Sequence, residues 1–537
     1  MTVYVAEEFS EAEADILRRY FTNLDGPVFA LVNLPEVVKG ALFARYSRSA
    51  KSLRRLFLDE FVGELDISGD HSIDATVGLR RAEELYDRVF FEYGDDSVAQ
   101  LGGVHLACEQ ASNLLTKVLE WGRLMSYLEQ STRYIAYDTR LGGRYRYYRD
   151  PDVLASSLGT RYVGDLDRLF DTYAGLLGPM QDFFRDRSPK SGSDSDFVHR
   201  QAIRAKAFDA LRGLLPGASL SNVGIYGTGQ GYEQLLLRMR AHPLPEARRY
   251  ADLMLAELRK VIPSFLKRVD LPERGGAWSQ YLEDTRTATS ELVDDLFPAA
   301  SETDSPGVTL VDYDPDGETK LVAAIAYASS HLSQAELERR AALLSTEERI
   351  SLIRAYVGER SNRRHKPGRA FERLHYRFDI VCDYGAFRDL QRHRLLSLEW
   401  QPLSPRHGYR VPDAIEAAGQ AQAFHAAMER SASLHDALYP TFPNQASYAV
   451  ALAYRVRFVL DLNARAAMHL IELRSGPQGH PSYRRVAQDM WRLIGEQAGH
   501  SAVAEAMRYV DLSDEPELER LEAERRAEAR RITRASQ

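Results

Sequence analysis

Two cysteines in 537 residues leave almost no room for disulfide or thiolate chemistry. Cys108 and Cys382 each lie in an apolar run, and neither has a neighbouring cysteine with which to share a metal. Both read as buried, reduced thiols, and no metal site is expected. Long apolar runs are lacking too, since nothing approaches the roughly 18 uninterrupted residues of a membrane span. The N-terminus, MTVYVAEEFSEAEADILRRYF, is acidic and amphipathic, without the basic flank and apolar core of a secretory leader. A soluble, cytoplasmic chain with no membrane partner is the expectation. There is no excess of positive charge either: the formal net charge of −8 argues against a general nucleic-acid coat. What is present, 44% apolar and 27% charged residues, is ordinary globular composition. The length exceeds one hydrophobic core, so two or more domains are expected.

The chain contains itself twice. VFALVNLPEVVKGALFARYSRS, from Val28, has the same shape as VTLVDYDPDGETKLVAAIAYASS, from Val308: a short apolar strand, a Pro-containing turn and an Ala-rich helix. SNLLTKVLEWGRLMSYLEQSTRY (112–134) parallels GAFRDLQRHRLLSLEWQPLSPRHGY (385–409), and YEQLLLRMRAHPLPEARRYA (from Tyr232) parallels AAMHLIELRSGPQGHPSYRRVA (from Ala466). Three blocks in the same order are not chance. The expected division is a first copy over 1–275, a connector over 276–306 that ends in the polar PAASETDSPG, a second copy over 307–512, and a charged tail over 513–537.

Periodicity assigns an α+β class to each copy, with long helices packed on a small sheet. Ala111, Leu114, Leu115, Val118, Leu119, Met125 and Leu128 follow helical spacing, broken only at Trp121 and Gly122. Tyr454 to Leu462 alternates as a half-exposed strand, and Asn463 suits the N-cap of a following helix whose buried stripe is Ala467, Leu470 and Ile471.

Three constellations carry chemistry. Arg392-His393-Arg394 reads as mid-helix, where consecutive side chains fan out; it is either a solvated basic turn or a pair of guanidinium forks suited to an anion. Glu129-Gln130-Ser131-Thr132-Arg133-Tyr134, at the end of the equivalent helix, offers donors and acceptors to a small polar ligand, or is simply a polar helix end. At Asn463-Ala464-Arg465 a strand runs into a helix, with free N–H groups and Arg465 attracting an anion and Arg474 further along. The first copy has Gly227-Thr228-Gly229-Gln230-Gly231 there, a tight turn or a phosphate cradle.

Together these blocks resemble the flavin-dependent thymidylate synthases, whose signature is Arg-His-Arg, a gap, then Ser-x-Arg, with a downstream Asn-x-Arg turn and a Leu-Arg one helix later. The chain looks like two such subunits fused. The resemblance implies that Arg392, His393, Arg394, Asn463, Arg465 and His469 contact flavin and that Arg474 polarises the pyrimidine, Arg392 also touching substrate. In the first copy Trp121-Gly122-Arg123 replaces Arg-His-Arg, but Ser131-Thr132-Arg133, Glu129 and Gln130 are kept as substrate contacts, as is the phosphate-binding Arg212 of Leu211-Arg212-Gly213-Leu214-Leu215-Pro216. In the second copy the loop around Arg406 is lengthened and carries prolines, and Gln445-Ala446-Ser447-Tyr448 replaces the phosphate arginine. One set of parts is thus split between the copies, and one composite site per chain is expected.

The implied activity is transfer of a methylene group from methylenetetrahydrofolate to dUMP, giving dTMP, with FAD as cofactor, NADPH as reductant and a homodimer of fused chains as the assembly. A paralogue acting on another pyrimidine nucleotide and a non-catalytic nucleotide- or nucleic-acid-binding relative are the alternatives. Two departures from the family pattern stand out. Asp389 replaces a glutamine, placing a carboxylate near the expected phosphate. The His-x-Ser-x-x-Glu-His segment is eroded at 95–101, and in the second copy only Glu372 of it remains.

Overall fold

The structure, a computed structural model, describes residues 4–34, 36–62, 100, 102–192, 194–297, 307–513, 521 and 525. The eroded segment at 95–101 lies outside them except for Gln100, as does nearly all of the tail. The fold is α+β, with two four-stranded antiparallel sheets. The first holds β1 (Val28–Leu31), β2 (Gly103–Ser112), β3 (Met125–Glu129) and β4 (Leu220–Thr228) in the order β1-β2-β4-β3. The second holds β5 (Val308–Tyr313), β6 (His375–Asp383), β7 (Leu396–Trp400) and β8 (Arg455–Asn463) in the order β5-β6-β8-β7. The shared topology is the duplication written in hydrogen bonds.

The chain forms two compact units, and each holds one sheet together with a piece of the other copy. Unit 1 comprises 1–174, 215–301 and 429–450; unit 2 comprises 175–214, 302–428 and 451–537. The borrowed pieces are tied in by matching bonds. In unit 1 the Ala218 amide donates to the Tyr448 carbonyl at 3.0 Å, and in unit 2 the Ala453 amide donates to the Gly213 carbonyl at 2.9 Å. Much of the expected connector is the exposed helix Ala277–Leu296, and 298–306 lie outside the described residues. Among the described residues no helix is long and apolar enough to cross a membrane.

Local sequence accounts for the elements that frame the site. β8 alternates inward Val456, Phe458, Leu460 and Leu462 with half-buried Arg455, Arg457, Val459, Asp461 and Asn463, because its side chains point to opposite faces in turn. Asn463 caps the helix Ala464–Arg474, its Oδ1 accepting from the Ala466 amide at 2.8 Å, and Ala467, Leu470 and Ile471 are buried, all as expected. Two expectations fail. No helix continues to Leu128: it stops at Leu119, and 125–129 form β3. Arg392-His393-Arg394 is not mid-helix either, because the helix Tyr384–Leu390 ends before it and β7 begins at Leu396. In both places a five-residue strand wins once it can pair with a long neighbour, β4 or β8.

Unit 1 carries a buried acid on the helix Pro245–Leu258. Glu246 is wholly enclosed, accepting from the Ser112 amide at 2.9 Å, the Ser112 hydroxyl at 2.6 Å and the Tyr448 hydroxyl at 2.7 Å. Burial outweighs these donors and pushes its carboxyl from an ordinary 4.5 up to about 7. The folded state therefore binds the proton more tightly than the unfolded state. The resulting stabilisation is full below about pH 4.5 and is lost as pH rises through 7, on the order of 3 kcal/mol in all. In urea titrations the stability of the wild type relative to Glu246→Gln is expected to fall by about 2–3 kcal/mol between pH 5 and pH 8. A difference that does not change with pH would remove the acid from this role.

Candidate functional site

Unit 2 gathers Arg212, Arg392, His393, Arg394, Asn463, Arg465, His469 and Arg474, seven from the second copy and Arg212 from the first. Glu129, Gln130, Ser131, Thr132 and Arg133 belong to unit 1. There Glu129 ends β3, buried, with Lys117 Nζ 3.1 Å from its carboxylate; the sequence had placed it on a helix. The Ser131 hydroxyl accepts from the Arg133 amide at 3.2 Å, and in unit 2 Ser404 accepts from the Arg406 amide at 3.4 Å, so the Ser-x-Arg turn keeps its form in both copies.

The centre of the unit 2 cluster is Asp389, the residue that departs from the family pattern. It sits in the last turn of the helix Tyr384–Leu390 and is buried. Its Oδ1 accepts from Arg392 Nη2 at 2.6 Å and lies 3.8 Å from Arg474 Nη1; its Oδ2 lies 3.4 Å from Arg212 Nη1. Three guanidiniums from three segments therefore meet on one carboxylate. Arg212, 3% exposed, also places Nη2 3.6 Å from Asp383, while its Nε and Nη2 make no hydrogen bond.

Arg474 is held from three sides. Its Nε donates to His393 Nε2 at 3.1 Å, and its guanidinium lies 5.6 Å from the centre of the Tyr483 ring. For His393 to accept, Nε2 must carry a lone pair, and the imidazole must be neutral. Burial, then the charges of Arg474, His469 and Arg392, push its pKa well below the ordinary value and keep it so.

A second cationic group surrounds the N-terminal half of the helix Ala464–Arg474. Arg465 Nε donates to the Pro367 carbonyl at 2.9 Å, and its Nη1 lies 3.5 Å from Glu372. Burial and the charges of Lys366, Arg363 and Arg474 depress His469 to about 4, so it is neutral at pH 7. Its Nδ1 is buried without a hydrogen-bond partner. Lys366 is itself pushed down by burial and by Arg465 and Arg363. Neither Arg363 nor Lys366 was singled out from sequence, although the basic run 360–369 was there to see. Their loop is nailed down by the buried Arg360, whose two Nη atoms each contact Glu472 at 2.6 Å. A crowd of cations around a helix start is an arrangement that attracts an anion.

The glycine-rich turn of the first copy has no such character. Thr228 caps the helix Gly229–Arg240, and a Cβ on Gly227 or Gly231 would meet Met125 at 2.4 or 3.2 Å. Those glycines make room for Met125, a packing reason for them that needs no phosphate.

A family model described as thymidylate synthase complementing protein matches residues 44–264 and again 309–498. A UPF0159 protein of Chlamydia pneumoniae is 39% identical over 527 residues, covering 97% of this chain and 98% of its own. A UPF0159 protein of Thermoplasma acidophilum is 31% identical over 513 residues, covering 90% and 97%. Among solved structures, the crystal structure of a UMP/dUMP methylase PolB from Streptomyces cacaoi bound with 5-Br dUMP is 21% identical at a TM-score of 0.31, covering 38% of this chain and 97% of that one.

Proposed function

This chain belongs to the thymidylate synthase complementing protein family, as a tandem pair of copies, and from that premise we propose that it methylates dUMP to dTMP with FAD as cofactor, methylenetetrahydrofolate as one-carbon donor and NADPH as reductant. The observation that carries this reading is the meeting of Arg212, Arg392 and Arg474 on Asp389, a cluster assembled from both copies within unit 2. A nucleotide phosphate needs several guanidinium donors, and a pyrimidine that develops negative charge needs a fixed one. Arg212 and Arg392 fill the first role and Arg474 the second.

The cationic surroundings of the helix Ala464–Arg474 fit an anionic flavin nucleotide. His469 Nδ1 is an orphaned buried polar atom, and Lys366 and Arg465 stay crowded without enough acids to neutralise them. Asn463, Arg465, His469, Arg363 and Lys366 would hold it, with His393 and Arg394 alongside. When bound, the flavin supplies the hydride that turns a transferred methylene into a methyl group. His393 keeps Arg474 aimed, and the neutral imidazole does so without adding a charge.

Purified protein should be yellow with a flavin spectrum, and the gene should rescue a thymidine auxotroph. Arg133→Ala is expected to weaken rescue, and Arg406→Ala, an exposed residue in the lengthened loop, to leave it intact. A colourless protein that cannot take up added FAD would end the flavin reading; a yellow protein without rescue would move the substrate to another pyrimidine nucleotide.

A further inference from the structure

Unit 2 contains a cavity of about 300 Å³ that Arg212 lines and Asp389 does not, and of the residues given a role above only Arg212 lines it. Its walls come from the ends of β6 and β8, the last turns of the helix Asp196–Leu211 and the first turns of the helix Pro481–Glu496. The duplication supplies an internal control, because unit 1 has the same place in the fold.

Correspondence follows from the backbone. The matched bonds from Ala218 to Tyr448 and from Ala453 to Gly213 pair Tyr448 with Gly213, and hence Ser447 with Arg212. Ser112 and Asp383 are the N-caps of the two equivalent short helices. Glu246 and Ser482 each follow the proline that opens the equivalent later helix. Tyr148 and Arg410 each follow a bridged tyrosine, Tyr147 or Tyr409. The link between cap and helix even survives with donor and acceptor exchanged: Ser112 donates to Glu246 in unit 1, and Ser482 donates to Asp383 in unit 2.

In unit 1 the place is plugged. The Tyr448 ring lies 5.0 Å from that of Tyr148, its hydroxyl reaches Glu246, and all three residues are buried. In unit 2 both rings are gone, replaced by Gly213 and Arg410, and the space is not closed by larger neighbours. Apolar walls remain, among them Val381, Val411 and Ala453. The charge has changed as well. Arg212 and Arg410 stand where Ser447 and Tyr148 were, and the carboxylate of Glu246 has become the Ser482 hydroxyl. Asp383, shared with Ser482 and Arg212, is the acid gained among these positions; Asp209, Asp413 and Asp489 also line the cavity, against Lys206, Arg455 and Arg485, and Arg410 Nη2 donates to Asp413 at 2.9 Å. Arg212 lines this region, and its buried Nε and Nη2 make no hydrogen bond, Nη2 lying 3.6 Å from Asp383.

We propose that this cavity is a separate binding site for a small planar anion, a single aromatic or heteroaromatic ring bearing one carboxylate or comparable acidic group. The ring takes the space that Tyr448 fills in unit 1, and the acidic group meets Arg212 and Arg410. The site shares Arg212 with the proposed nucleotide site and none of the proposed flavin contacts, so it stands whether or not flavin binds.

The test uses ligand-observed fluorine NMR on the full chain with 4-fluorobenzoate, 4-fluorophenol and 4-fluorobenzamidine, three rings of one size and different charge. The benzoate resonance should broaden and stay broad under excess dUMP, while the benzamidine resonance stays sharp. Gly213→Tyr should abolish the broadening by rebuilding the plug. A Cβ at 213 meets Ala453 Cβ at 3.0 Å, so Arg410→Tyr serves as a second variant that does not depend on that position folding. Arg410→Tyr should weaken benzoate binding about tenfold or more, a change of about 1.4 kcal/mol. Absence of broadening with every probe, equal broadening by benzamidine, displacement by dUMP, or benzoate binding unchanged in a folded Arg410→Tyr protein would each overturn the proposal.

Discussion

Arg474→Ala is expected to lower turnover of dUMP by about 10²- to 10³-fold at saturating substrate, the range for removing one preorganised donor aimed at developing charge. The expectation rests on how the guanidinium is held. His393 Nε2, Asp389 and the Tyr483 ring fix it from three directions, so little reorganisation is left when charge develops. Alanine leaves a space that water fills with unfixed dipoles. The loss should fall on kcat more than on KM, because Arg212 and Arg392, the residues proposed to grip the phosphate, remain. His393→Ala should produce a smaller loss of the same kind, since it frees Arg474 without removing it. His393→Gln should recover part of it, because an amide oxygen can accept from the same Nε–H. A defect in Arg474→Ala confined to KM would reduce the residue to a ground-state contact.

How far this site was legible depended on the range of the interaction. The β8 strand and its Asn463 cap are local facts, written as alternation and as one side chain that can satisfy its own helix start. The Arg-His-Arg turn was misread as helix because β7 is five residues long, and its alternation gains meaning only beside β8. The Met125–Glu129 strand was lost in the same way beside β4. The exchange of 175–214 and 429–450 between the units was beyond any local signal: sequence shows that segments are duplicated, not which sheet each one packs on. Asp389 was legible as a departure from the family pattern, but the three guanidiniums that pair with it were not. A carboxylate seen alone in sequence is a repulsive neighbour for phosphate, whereas one with three guanidiniums around it makes their crowding tolerable.

That pairing yields the largest expected effect on stability. Asp389→Ala should destabilise the protein by about 3–5 kcal/mol in urea titrations, the cost of stranding a buried charge. Arg212 is the residue stranded: it is 3% exposed and would keep only Asp383, at 3.6 Å, with two of its nitrogens already unbonded. Arg392 is more exposed and turns outward at little cost, so the loss should be concentrated on one pair. A double-mutant cycle isolates it. Arg212→Met in the Asp389→Ala background should regain much of the stability, because an apolar side chain needs no partner, and the coupling between the two positions should exceed about 1.5 kcal/mol. Asp389→Gln, the residue type the resemblance leads one to expect, should lie between wild type and alanine: it offers one acceptor oxygen to three donors and no charge. Excess inorganic phosphate should restore the alanine variant more than it stabilises wild type, since an anion entering beside Arg212 replaces the missing carboxylate. If phosphate stabilises both proteins equally, Asp389 is not holding the place of an anion, and its arginines are a structural knot rather than the floor of a nucleotide site.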